Sequence, residues 1–242
     1  MPFFGALMSL GHHGFGSMHY LQSGAVFWSL QRLFGSYYRI VSVYDPKGRG
    51  PNHGDRTFLD ADIEAFIIRE RIILNDVAYV IRQLLPKNGD GARKLKGPSG
   101  AVAPANQEMS IVDLITWLER NQVHIDLREL LEQNKKWILE LREQRDAVVH
   151  YKAKVIVFGS SNEPPQFAFI AAAWDEGDSE KLRPVFEFVN GRMNQLLKFL
   201  NQDLVGAIER HAEKSGKKLP ASAWPAKMTS VGVNLFLLIN EL

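Results

Sequence analysis

The chain has 242 residues, a formal net charge of +2 at pH 7 and no cysteine. Its length is enough for one domain with extensions, and the lack of cysteine excludes disulfides, thiol catalysis and cysteine-ligated zinc. The 45% hydrophobic and 23% charged content is ordinary for a soluble globular protein, and so small a net charge permits RNA binding without indicating it.

The N-terminal region is predicted to be an irregular arm, about residues 1–16, because it is rich in glycine and histidine. Metal binding by His12, His13 and His19 is the less favoured interpretation, since no carboxylate lies near them in the sequence. Residues 1–31 contain no charged side chain apart from histidine, so the cationic start of a secretory signal is missing. We therefore expect a soluble, cytoplasmic protein without a cleaved leader and without a membrane span.

Two long helices are predicted in the first third of the chain. The first spans Ser17–Tyr44, and the second begins near Thr57 and ends before Pro86. Apolar residues of the second helix recur at helical spacing and form its buried stripe: Ile63, Ile67, Leu74, Val77, Ile81 and Leu84. Three consecutive charged residues in its middle are interpreted as a solvated face: Arg69, Glu70 and Arg71.

A basic linker, about residues 87–107, follows and is predicted to be mobile because of its glycines and prolines. Two interpretations of its lysines stay open. Lys94 and Lys96 either contact the backbone of RNA or belong to a disordered loop. Ser110 then caps a short helix that runs through Arg120.

The next helix carries the sequence on which the functional interpretation depends. It begins at Asp126-x-x-Glu129, and its apolar stripe is Leu127, Leu131, Asn134, Ile138, Leu141, Arg145 and Val148. An arginine on such a stripe needs an anionic partner or must open onto a cleft, because burying it alone is costly. His150 lies at the end of this helix, four residues after Asp146, so that the carboxylate can orient the imidazole.

The last third of the chain adds strands and one more helix. The β-rich runs Ala153–Phe158 and Phe167–Trp174 predict a hairpin, and Pro184 fits the first turn of a long amphipathic helix. The tail, about residues 217–242, ends in an apolar run that is expected to dock on the body or on a second subunit. The predicted fold class is mainly α, a helical bundle with one inserted β-hairpin, in a single domain over residues 1–242.

The run Arg145-Asp146-Ala147-Val148-Val149-His150 resembles the motif of the HEPN superfamily, which is Arg-x(4 to 6)-His with a polar residue after the arginine. Tyr151 adds to the resemblance, since some branches carry a tyrosine near there, although here it follows the histidine directly. The resemblance covers about residues 60–212 and implies a HEPN-like helical fold that is typically dimeric. It implies either a metal-independent RNA endonuclease, in a toxin or defence system with an antitoxin or other partner protein, or a non-catalytic dimeric binding module.

Under the first option the resemblance makes Arg145, His150 and Asp146 the expected catalytic residues. His150 would accept the proton of an RNA 2′-hydroxyl, Arg145 would hold the phosphate oxygens, and Asp146 would align the imidazole. The expected substrate-binding residues are Tyr151, Arg142, Lys94 and Lys96. We expect no metal and no cofactor.

A purely structural interpretation stays open beside the catalytic one. In it, Arg145 pairs with a buried carboxylate and His150 is a helix-end histidine at the favourable pole of the helix dipole. On a straight helix, positions i and i+5 are about 140° and 7.5 Å apart. The two side chains therefore converge only if the helix kinks or ends there, or if a two-fold dimer completes the site.

Overall fold

The structure is a computed structural model that describes residues 18–43, 55–84, 110–121, 125–150, 153–158, 165–171 and 182–214. This part of the chain is mainly helical, with one small antiparallel sheet, which confirms the predicted class. The predicted arm, basic linker and docking tail lie outside the described residues. No helix within the described ranges combines the length and the apolar content that crossing a lipid bilayer demands.

The helices that precede the sheet agree closely with the sequence patterns. They are α1 (Met18–Val43), α2 (Asp55–Leu84), α3 (Ile111–Asn121) and α4 (Ile125–Val149). Ser110 caps α3 as predicted, because its hydroxyl accepts the backbone N–H of Asp113 at 3.2 Å and donates to the Asp113 carboxylate at 2.7 Å. Asp126, in the first turn of α4, also ties this end of the helix to the C-terminal helix, because its carboxylate binds Lys214 at 2.6 Å.

The sheet consists of β1 (Ala153–Phe158), β2 (Gln166–Ala171) and the short β3 (Arg183–Pro184), in the order β1-β2-β3. The predicted hairpin is confirmed, whereas β3 was not predicted. The outer edge of β1 is covered by α2, where Asp60 accepts the backbone N–H of Val157 at 2.9 Å. Covering an edge in this way satisfies ladder donors that would otherwise be free to pair with another chain.

The last helix, α5 (Val185–Lys198), continues through a π-helical segment (Phe199–Leu204) into α6 (Val205–Lys214). Pro184 stands at the N-cap position, one residue before the predicted first turn. The apolar stripe of this continuous helix is entirely buried: Val185, Val189, Met193, Leu196, Leu200, Leu204 and Ile208. This stripe packs with α1 to α4 and the sheet into one hydrophobic cluster, against which α4 presents a single face.

Candidate functional site

Helix α4 is rotated so that Gln144 faces the core and Arg145 does not. Leu141, Gln144 and Val148 are buried at spacings of three and four. The side chain of Arg145 is 36% exposed. Arg145 was predicted on the buried stripe, but Gln144, one residue earlier, occupies that position in the structure.

A buried polar network holds α4 in this rotation. Arg192 of α5 donates from Nη2 to Gln144 Oε1 at 2.8 Å and from Nη1 to the Trp137 carbonyl at 3.4 Å. Gln144 in turn donates to Glu140 at 2.8 Å. The guanidinium of Arg192 also faces Glu70 of α2, at 3.9 Å between Nε and Oε2. Three helices are thereby joined through polar contacts directly behind the predicted motif.

The middle of α2 is not the solvated face that was predicted. Glu70 is completely buried and Arg71 is only 7% exposed, while Arg69 alone of the three is partly exposed. Burial raises the pKa of Glu70 to about 7, despite the opposing charge of Arg192. Both carboxylate oxygens of Glu70 are buried without a hydrogen bond in the described part of the chain, which is a costly arrangement for a charged group.

Two arginines of α4 share one carboxylate on its outer face. Asp146 accepts a hydrogen bond from Arg145 Nη1 at 2.8 Å and lies 3.5 Å from Arg142 Nε. Burial by itself would raise the pKa of Asp146, but the Arg145 hydrogen bond and the charges of Arg145, Arg142 and His150 lower it below its ordinary value. The Asp146 carboxylate is therefore held in its anionic form and fixes both guanidinium groups.

His150 lies just beyond the end of α4 and is exposed. Its backbone N–H still donates to the Asp146 carbonyl at 3.1 Å, so one helical hydrogen bond holds its main chain. The carboxylate of Asp146 contacts the two arginines, whereas His150 influences it only by its charge, which lowers the pKa of that carboxylate. The structure thus groups Arg142, Arg145 and Asp146, with the imidazole of His150 open to solvent beside them.

Arg71 of α2 is within electrostatic reach of Asp113 on α3 and of charged residues on α4. One turn after it, Asn75 Oδ1 accepts the backbone N–H of Ile111 at 3.4 Å, which sets the start of α3 against α2. One residue before it, Glu70 faces Arg192. Arg71 itself is only 7% exposed, and its Nη1 is buried without a hydrogen-bond partner among the described residues.

The charges that act on Arg71 are two positive and two negative. Burial and the charges of Arg142 and Arg145 lower its pKa, and Asp146 and Asp113 oppose this. We call Arg71, Arg142 and Arg145 the arginine cluster. An arginine keeps its proton in proteins, so the cluster brings three positive charges together around two carboxylates.

A shallow groove of about 360 Å³ runs along the outer face of α4. Its lining is Leu139, Arg142, Glu143, Asp146 and Ala147, which includes two of the predicted site residues. Three others, Tyr151, Lys94 and Lys96, lie outside the described residues. Across the described ranges, no three histidine, aspartate or glutamate side chains are grouped closely enough to hold a metal ion.

The burial of Arg71 and the network of Glu70, Gln144 and Arg192 were not predicted from the sequence. A signal for the network was present, because each of its members occupies a stripe position. Glu70 is three residues after Ile67, and Arg192 is three residues after Val189. A polar residue in that position on three separate helices is the pattern of a buried polar contact among them.

No protein-family model, no curated protein and no solved structure matches this chain.

Proposed function

We propose that the chain is a HEPN-like, metal-independent RNA endonuclease that uses His150 and Arg145. The observation that carries the proposal is the arginine cluster around Asp146, within electrostatic reach of the exposed imidazole of His150. Clustered guanidinium groups suit the oxygens of a phosphodiester. An exposed histidine suits proton transfer near neutral pH.

In the proposed reaction the RNA 2′-hydroxyl attacks the adjacent phosphorus. His150 accepts the hydroxyl proton, and Arg145 donates hydrogen bonds to the non-bridging oxygens as negative charge accumulates on them. The bond from phosphorus to the 5′ oxygen breaks, and that oxygen takes a proton from water, while His150 later returns its own proton to the solvent. The products carry a 2′,3′-cyclic phosphate and a 5′-hydroxyl. Asp146 acts as a positioning residue, because its hydrogen bond fixes the guanidinium of Arg145.

We further propose that the enzyme works in the cytoplasm as a two-fold homodimer. Arg145 pairs with Asp146 within one chain while His150 stands apart at the helix end, so a second copy across α4 supplies the missing half of the site. In a toxin or defence setting, an antitoxin or other partner protein would cover the same groove and block access of RNA.

The dimer is tested by its mass in solution. Light scattering is expected to give about twice 27.4 kDa at micromolar concentration, because the site needs two copies. A mass equal to one chain at that concentration would contradict the dimer, and the activity would then have to arise from a single copy.

Cleavage is expected to persist in EDTA, since the proposed groups are an imidazole and a guanidinium. The measurement is digestion of a mixed-sequence RNA by the purified full chain, with EDTA and then with added Mg²⁺ or Mn²⁺. Equal rates under these conditions support the proposal. Cleavage that EDTA abolishes and a divalent ion restores would contradict it.

One observation favours a second candidate function, a non-catalytic HEPN-like dimeric binding module. The side chain of Arg145 is already paired with Asp146 at 2.8 Å, as in an arginine that serves structure. Under this alternative the wild-type chain cleaves no RNA, although the arginine cluster still binds an anionic partner.

A further inference from the structure

We infer that Arg71, on a helix outside the predicted motif, is a phosphate-binding residue that acts together with Arg142 and Arg145. The inference deepens the proposed function and rests on it for the identity of the ligand, a phosphodiester of RNA. Nothing in the Arg-x4-His spacing points to Arg71, which lies 74 positions before Arg145 in the sequence.

The guanidinium of Arg71 has a buried nitrogen without a partner among the residues that the structure describes. Arg71 is 7% exposed, and its Nη1 has no hydrogen-bond partner in the described part of the chain. Leaving a donor of a charged group buried and unpaired is costly. A phosphate oxygen supplies an acceptor for it, and the long arginine side chain can turn its fork towards that oxygen.

The positive charge of Arg71 is not neutralised by its described neighbours. At Arg71 the positive charges of Arg142 and Arg145 are opposed by the negative charges of Asp146 and Asp113, so the guanidinium of Arg71 itself is the charge left without a counterion among the described residues. The Asp146 carboxylate already binds Arg145 and Arg142. An anion between α2 and α4 would therefore lower the mutual repulsion of the cluster as well as fill the vacant donor.

The backbone of α2 is held in place on both sides of Arg71. Its neighbour Glu70 faces the Arg192–Gln144 contact, and Asn75 binds the first residue of α3. Helices α2, α3 and α4 thus hold Arg71 at a set place relative to Arg145. These contacts fix the backbone at Arg71, so only its side chain has to move when an anion binds.

The test uses the full chain and two probes, an uncleavable 2′-O-methyl oligoribonucleotide and inorganic phosphate. The variant is Arg71→Met, which removes the charge and keeps most of the length. The control is Arg128→Met, an equal charge change about 25 Å along α4 from Arg145 at 1.5 Å per residue.

We expect Arg71→Met to weaken oligonucleotide binding about 10- to 100-fold, the range of one lost charge-assisted hydrogen bond. Its salt dependence, as the slope of log K against log salt, should fall by about 0.7. Phosphate should raise the melting temperatures of the wild type and of Arg128→Met by similar amounts. It should raise the melting temperature of Arg71→Met by less. Without ligand, Arg71→Met should melt at or above the wild-type temperature, because an unpaired buried charge is gone.

Two results would overturn the inference. One is that Arg71→Met binds both probes as the wild type does, even if RNA is cleaved. The other is that Arg71→Met is strongly destabilised while Arg71→Lys binds both probes normally. Lysine keeps the positive charge but lacks the planar fork, so this result would make Arg71 the ion partner of Asp113 or Asp146. A chain that cleaves no RNA but binds both probes through Arg71 keeps the inference and rejects only the nuclease activity.

Discussion

Replacing His150 with alanine is expected to lower the rate of RNA cleavage about 100- to 10,000-fold, the usual contribution of a general base. The fold should be retained. The imidazole of His150 is exposed, and the hydrogen bond from its backbone to Asp146 does not need the side chain. A histidine at a helix end contributes at most about 1 to 2 kcal/mol to stability, so the loss should be catalytic.

The measurement pairs single-turnover cleavage rates with urea unfolding of the same samples. Gln133→Ala is a suitable control, because Gln133 is an exposed polar residue of α4 far from the motif. It should keep the wild-type rate. Full activity in His150→Ala would remove His150 from the mechanism.

Arg145→Ala should also abolish cleavage, and it should lower the stability of the fold only slightly. The side chains of Arg145 and Asp146 are 36% and 34% exposed, and ion pairs so open to solvent contribute about 1 kcal/mol or less. A much larger loss of stability in this variant, together with a wild type that cleaves no RNA, would favour the binding module.

The stability of the protein is expected to fall as the pH rises through the titration of Glu70. In the fold the pKa of this carboxyl is raised from its ordinary 4.5 to about 7 by burial. The folded chain therefore keeps the proton where the unfolded chain has lost it. The resulting stabilisation is complete below about pH 4.5 and disappears as the pH passes 7, and it amounts to about 3 kcal/mol for a shift of this size.

Urea unfolding of the wild type and of Glu70→Gln at a series of pH values measures this effect. The difference in unfolding free energy between them should change across that window, because glutamine cannot ionise. Glu209→Gln, on the exposed side of α6, should follow the wild-type curve. Parallel curves for the wild type and Glu70→Gln would show that Glu70 does not titrate in this range.

The helices were predictable because their apolar residues recur at the helical period. On α5 and α6, all seven stripe residues from Val185 to Ile208 are buried, and Ser110 starts α3 as its sequence indicates. Such features are local, so one stretch of sequence is enough to predict them. Strand β3 was missed because two residues, Arg183 and Pro184, carry no alternation.

The site was less predictable because its contacts join separate helices. The motif located Arg145, Asp146 and His150, but their spacing could not tell which one faces the core. Gln144 faces the core because Arg192, 48 residues later, binds it there. The burial of Arg71 likewise depends on how α3 and α4 pack on α2. No periodicity within α2 contains that information, so the arginine cluster emerges only from the assembled fold.

The central claim is that RNA is cut by attack of its own 2′-hydroxyl at a site containing His150 and Arg145. The most direct measurement is the chemistry of the new ends after digestion with the purified full chain in EDTA. The account predicts 2′,3′-cyclic phosphate and 5′-hydroxyl ends, and no cleavage where the 2′-hydroxyl is replaced by hydrogen. New 5′-phosphate ends, or equal cleavage at the 2′-deoxy position, would contradict it.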